Sequence, residues 1–251
     1  MNELLGLPYS PWSEKAKWAL DARKVPYRFR HYQPLLGEPA LRMRTGRWRG
    51  NVTVPVMTDE RGMVYDDSAK IARFADTRGE GPSLFPKEHE AAIEHWIDVS
   101  ERALAAGRVL SLRRTLEDPE ALKELVPRGM RALGPVASGI GGMGVRRTLS
   151  KYGADAASVQ EHLRALRAAL DELRDALAKS PSTTAPRTIL AAFSFADIAA
   201  AQILAFVTPP AFGLKLGRAS RRGFTDPALA KEYADLIAWR DALYEAYRPR
   251  G

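Results

Sequence analysis

Residues 7–23, LPYSPWSEKAKWALDAR, decide how this chain is read. Ser10 before Pro11 marks a helix start. The serine oxygen can accept from an orphan backbone N–H, and proline, with no N–H, suits the first helical position. Trp12, Ala16, Ala19 and Leu20 then recur at helical spacing with Lys15 and Lys17 off the stripe, so residues 11–23 predict a helix. Residues 3–7 before it form a short apolar strand ended by Pro8. Residues 27–32 after it alternate aromatic and basic side chains as a strand does, and residues 38–45 give a weaker helix.

Farther along, Val52, Val54 and Val56 alternate with Thr53, Pro55 and Met57, a period of two. Asp59-Glu60-Arg61-Gly62 reads as a hairpin turn and Met63-Val64-Tyr65 as the returning strand. Asp67-Ser68 opens another helix whose apolar face holds Ile71, Phe74 and Ala75. The pattern is βαβ followed by ββα, an α/β domain over residues 1–78. Gly79-Glu80-Gly81-Pro82-Ser83 places a linker at 79–87. Residues 88–251 predict only helices, an all-α bundle: 88–105, 158–179, 194–207 and one opened by Asp226-Pro227. Residues 133–144, LGPVASGIGGMG, carry five glycines. A loop packed on the helical domain is the plainer expectation, and a mobile lid over an apolar pocket the functional alternative.

The chain has 251 residues, 45% hydrophobic and 27% charged, enough for two modest globular domains. No apolar run approaches the roughly 18–20 residues of a membrane span. Met1-Asn2-Glu3-Leu4 lacks the start of a signal peptide, so a cytoplasmic protein without a membrane partner is expected. There is no cysteine, which excludes disulfides, a thiolate nucleophile and a CxxC couple. The four histidines are scattered, so no metal site is expected. The net charge of +8 is spread along the chain. Its densest stretch, Arg42, Arg44, Arg47 and Arg49 around Trp48, reads first as a solvated face and last as a nucleic-acid contact.

Three places can carry chemistry as well as structure. At Ser10 the helix N-terminus favours an anion, a thiolate included, and the hydroxyl can donate to it. No His or carboxylate motif stands nearby to make Ser10 a nucleophile. Pro55 inside a β pattern implies an edge, a bulge or a cis bond, and a cis bond would turn the Val54 backbone outward to pair with an extended peptide. Asp67 and Ser68 suit N-capping. Functionally, Asp67 can pair with an α-amino group while Ser68 and helix N–H groups hold a carboxylate.

In order, these features resemble the thioredoxin-like domain of glutathione transferases, followed by that family's helical domain. Ser10-Pro11-Trp12-Ser13 is similar to the active-site turn of the Ser- and Cys-type classes, with Ser10 at the catalytic position. Val54-Pro55 matches the family's Val with cis proline, and Asp67-Ser68 its Glu/Gln-Ser pair, which binds the γ-glutamyl end of glutathione. Ser194-Phe195-Ala196-Asp197 matches its structural Ser/Thr-x-x-Asp box. The resemblance spans residues 3 to about 247 and implies glutathione as co-substrate, a small hydrophobic electrophile and a homodimer. It also makes a glycyl-carboxylate contact the second reading of the Arg42–Arg49 run. Asp67 is shorter than the usual Glu, Thr53 stands where many members carry a cation, and Gly6 where the Tyr-type classes carry tyrosine. The alternatives are a non-catalytic binding protein of this fold, or a glutathione-dependent isomerase, etherase or dehalogenase.

Overall fold

The computed structural model describes residues 1–34, 37–151 and 159–250. Strand β1 (Asn2–Gly6) lies at the centre of a four-stranded sheet. It pairs in parallel with β2 (Tyr27–His31) and antiparallel with β3 (Val56–Thr58), which pairs in turn with β4 (Val64–Tyr65). Helix α1 (Pro11–Ala22) connects β1 to β2, α2 (Glu38–Thr45) follows β2, and α3 (Ser68–Arg78) follows β4. This is the βαβ–ββα order expected. Neighbouring strand residues face opposite ways, so the sheet has two cores. Leu4 and Met57 face α1 and α3 in the main core, while Leu5 and Val56 face Leu41 of α2 in a smaller one.

The rest of the chain is helical: α4 (Glu90–Leu116), α5 (Pro119–Glu124), α6 (Pro135–Lys151), α7 (Val159–Lys179), α8 (Phe195–Ile203), α9 (Arg218–Phe224), α10 (Pro227–Glu232) and α11 (Ala234–Tyr247). Among the described residues no strand follows Tyr65. Ser158, the predicted start of the fourth-and-third leucine helix, lies outside the described residues. Helix α4 runs eleven residues beyond its predicted end at 105. Gly107 does not stop it, because a Cβ there would stand 2.9 Å from Phe206 Cβ; the glycine lets the two segments touch. Between α3 and α4 the chain wraps the buried guanidinium of Arg23, which donates to the carbonyls of Asp76, Gly79, Gly81 and Pro82.

The glycine-rich stretch is neither a loop nor a lid. It forms most of α6, where Ala137, Gly141, Val145 and Leu149 repeat every fourth residue on the buried side. A Cβ on Gly141 would fall 2.2 Å from the carbonyl oxygen of Leu122 in α5. The glycines therefore serve close helix–helix approach, and packing outweighs their poor helix propensity. The Val52–Val54 alternation also fails to extend β3, which begins only at Val56 after the cis Val54–Pro55 bond. Proline offers no ladder donor there.

The Ser194 box does its expected structural work. Buried Asp197 accepts from Ile189 N at 2.7 Å, Ser194 N at 2.9 Å and Ser194 Oγ at 3.2 Å. Burial pushes its carboxyl up to about 7, against the three hydrogen bonds that favour the anion. Asp197→Ala leaves two backbone donors unmet and is expected to cost about 2–4 kcal/mol in urea unfolding. Gly141→Ala should destabilise by about 1–3 kcal/mol through overpacking. Gly144→Ala, with nothing within 4 Å of the new Cβ, should stabilise by about 0.5–1 kcal/mol. Equal effects from the two glycine changes would contradict this packing of α6.

Candidate functional site

The strand register gathers the three sequence motifs at one end of the sheet. Leu5 pairs with Val56, so the end of β1, leading to Ser10, adjoins the start of β3 at Pro55. Met57 pairs with Tyr65, so the end of β4, leading to Asp67 and Ser68, adjoins the same point.

Ser10 is the extended N-cap of α1, with Pro11 in the first turn. Its Oγ accepts from Ser13 N at 3.5 Å, a long bond, so its own proton remains available to donate. Ser13 is fully buried and its Oγ accepts from Leu7 N at 3.1 Å. A Cβ on Gly6 would stand 2.8 Å from that oxygen, so the β1 end has no room for a side chain. Tyr9 beside the turn is half-buried, burial raises its phenol pKa, and its hydroxyl has no hydrogen-bond partner among the described residues.

Val54 makes no backbone hydrogen bond among the described residues, outside β3 as it is. Asp67 caps α3, its Oδ1 accepting from Ala69 N at 2.6 Å and from Lys70 N at 3.4 Å. One carboxylate oxygen is thus committed to the helix and the other is not. Ser68 is buried at the first helical position.

The arginine run is mostly a surface built of ion pairs. Arg42 reaches Glu38 at 2.8 Å, Arg44 reaches Glu3 at 2.6 Å and Arg47 reaches Asp66 at 2.7 Å. Arg42 also donates to the carbonyls of Arg47 and Gly50, which folds the segment after α2 back on that helix.

Trp96 and Leu104 of α4 are buried in the core. The α4 side chains that meet Trp12 are Glu101, which accepts from Trp12 Nε1 at 2.7 Å, and Arg108, whose guanidinium lies 4.9 Å from the ring centroid. Lys15, off the apolar stripe, is fully buried and bonds Glu101 at 2.5 Å and Ser100 Oγ at 3.2 Å. Nothing in the helical periodicity marked it, because α8, with Ser100 and Glu101 of α4, covers α1 on the face that a two-layer fold would leave wet. A cavity of about 440 Å³ along α4, lined by Leu110, Arg113 and Leu163 among others, holds none of the three motifs. Among the described residues no group of metal-ligating side chains comes together, and no helix is long and apolar enough to cross a membrane.

A βαβ–ββα sheet whose capped first helix, cis-proline strand and capped third helix meet at one end, joined to an all-helical domain, defines the thioredoxin-like plus helical class. Residues 9–78 match the family model of the glutathione S-transferase N-terminal domain, and residues 156–242 that of the C-terminal domain. The chain belongs to the glutathione S-transferase superfamily. A probable glutathione S-transferase of Solanum tuberosum is 31% identical over 86 residues, 34% of this chain and only 38% of that relative's length. A glutathione transferase structure from Phanerochaete chrysosporium superposes with a TM-score of 0.64 at 17% identity, covering 100% of this chain and 99% of its own. A glutathione S-transferase from Methylobacillus flagellatus, solved with glutathione bound, gives 0.60 at 16% identity, with 100% of both chains covered.

The Lys15–Glu101 pair, in which the lysine is buried and the glutamate partly exposed, is open to a direct check. Glu101→Gln strands a buried ammonium and is expected to cost about 2–4 kcal/mol in urea unfolding. Adding Lys15→Met should recover most of that loss; an additive double variant would show that the pair is not coupled.

Proposed function

We propose that the chain is a glutathione transferase, which activates the thiol of glutathione for attack on a small hydrophobic electrophile. The observation that carries this is Ser10: an N-cap at the head of a twelve-residue helix, with its hydroxyl proton available. An ordinary thiol has a pKa near 8.5, and the thiolate is the nucleophile. The partial positive charge of the helix start and a charge-assisted hydrogen bond from Ser10 together favour the thiolate, by about one to two pK units at roughly 1.4 kcal/mol each.

The rest of glutathione is assigned by what each group offers. Val54 N–H and C=O take the cysteinyl backbone as an added strand against Pro55. Asp67, through the oxygen that does not cap α3, takes the γ-glutamyl α-amino group, and Ser68 with the first N–H groups of α3 takes its carboxylate. Relatives of this fold have been solved with glutathione or glutathione sulfonate, which supports glutathione as the co-substrate. In the reaction the sulfur forms a bond to the electrophilic carbon, and the leaving group departs with the electron pair of the bond it breaks. The thiol proton passes to solvent, since Ser10 donates a hydrogen bond and has no base beside it. A cytoplasmic homodimer is the assembly proposed.

Ser10→Ala is expected to lower kcat/KM by about tenfold or more, the loss of one charge-assisted hydrogen bond, with the fold intact, about 0.5–1 kcal/mol lost in unfolding with the cap, and the kcat pH profile moved to higher pH. The wild type should be retained on immobilised glutathione and gain thiolate absorbance near 240 nm, roughly where thiolates absorb, when glutathione is added. No retention and no absorbance would end the reading.

A further inference from the structure

The face of α1 that begins with Ser10 continues as a row of charges, Glu14, Lys17 and Asp21, spaced four, three and four residues apart. Glu14 is fully buried, and its N–H donates to the Ser10 carbonyl at 2.9 Å. Lys17 Nζ lies 2.5 Å from Glu14 Oε2 and also donates to the Gly213 carbonyl at 2.9 Å. Arg248, buried beyond the end of α11, spans the row. Its Nε reaches Glu14 Oε1 at 2.7 Å and its Nη1 reaches Asp21 Oδ2 at 2.6 Å. Tyr27 of β2 bonds Asp21, and Tyr244 of α11 lies in the field of Glu14. Burial raises the Asp21 carboxyl, and Arg248 acts the other way. The neighbouring Lys15 is balanced by Glu101 of α4. A Cβ on Gly213 would stand 2.4 Å from Glu14 Oε1, so the carboxylate is walled by backbone on that side. A helix start attracts an anion, and a buried carboxylate one turn from it opposes that attraction. Only about 6 Å of helix rise separates residues four apart, and no water reaches Glu14 to screen it.

We propose that Arg248 is a positioning residue for the Ser10 site: with Lys17 it cancels the charge of Glu14, so the start of α1 attracts a thiolate only while the segment after α11 is docked. The inference rests on the glutathione transferase reading and adds a distant residue to its thiolate site. Arg248 makes and breaks no bond in the reaction; it acts through Glu14. A brace that merely holds α1 in place needs the ties but not the balance of charge, and that difference separates the two roles.

The readout is the pH midpoint of the thiolate absorbance of bound glutathione, followed near 240 nm, roughly where thiolates absorb, at saturating glutathione. Glu14→Gln removes the negative charge and should lower the midpoint by about 0.5–1 pH unit; Arg248→Met removes the positive one and should raise it by about as much. The double variant should return to within about 0.3 unit of the wild type. Arg248→Lys keeps the charge and loses the bridge between the two carboxylates. It should hold the wild-type midpoint while unfolding at lower urea. Should Arg248→Met not fold, Glu14→Gln and the double variant decide. Midpoints that all coincide, or that follow urea stability instead of charge, overturn the inference and leave the transferase reading standing. A wild type that gains no thiolate absorbance at any pH and is not retained on immobilised glutathione ends both.

Discussion

Helix α1 is held on two sides, and charges hold one of them. Its inner face lies on the sheet and α3 through Ala16, Ala19 and Leu20. Its outer face carries Glu14 and Lys15, both fully buried. A buried charge is tolerated only with a partner; Lys17 pairs with Glu14 within the helix, and the other partners come from outside the sheet domain. Lys15 pairs with Glu101 of α4, and Glu14 accepts from Arg248 Nε at 2.7 Å beyond the end of α11. Trp18, one turn farther, packs at a tilt against Tyr244, ring centroids 4.4 Å apart, and donates to the Tyr247 carbonyl. The helix that begins at Ser10 is therefore fixed by the helical domain as much as by the sheet, and the direction of the Ser10 hydroxyl is fixed with it.

The end of the sheet gathers short polar groups at Ser10 and Asp67 and unpaired backbone at Val54. Helix α4 sets Arg108 over Trp12 beside it, and the end of α6 joins the same domain, because Lys151 is tied to Val52 and lies in the field of Glu38 and Arg42. A stretch that reads as a glycine-rich loop is thus a packed helix, and its glycines allow it to lie close to α5.

Much of the first domain was legible because its signals are local. Capping by Ser10 and Asp67 depends on one side chain and the next few N–H groups, and both caps form as read. Gly62 likewise takes the positive φ that its hairpin turn requires. Signals that depend on a distant neighbour were not legible. Gly107 and Gly141 look like helix breakers until Phe206 and Leu122 are known to press on them. Lys15 looks solvated until α4 covers it, and the charges of the Arg42–Arg49 run look free until Glu3, Glu38 and Asp66 are placed beside them. The cis bond at Pro55 was one of three options by spacing and became the expectation only through family resemblance.

The tie between Glu14 and Arg248 joins residues 234 positions apart. Chains are made from the N-terminus, so Glu14 and Lys15 are made before Glu101 and long before Arg248. Until those partners follow, the outer face of α1 lacks the charges that hold it. The surroundings of the helix that Ser10 caps are complete only once Arg248 has been made.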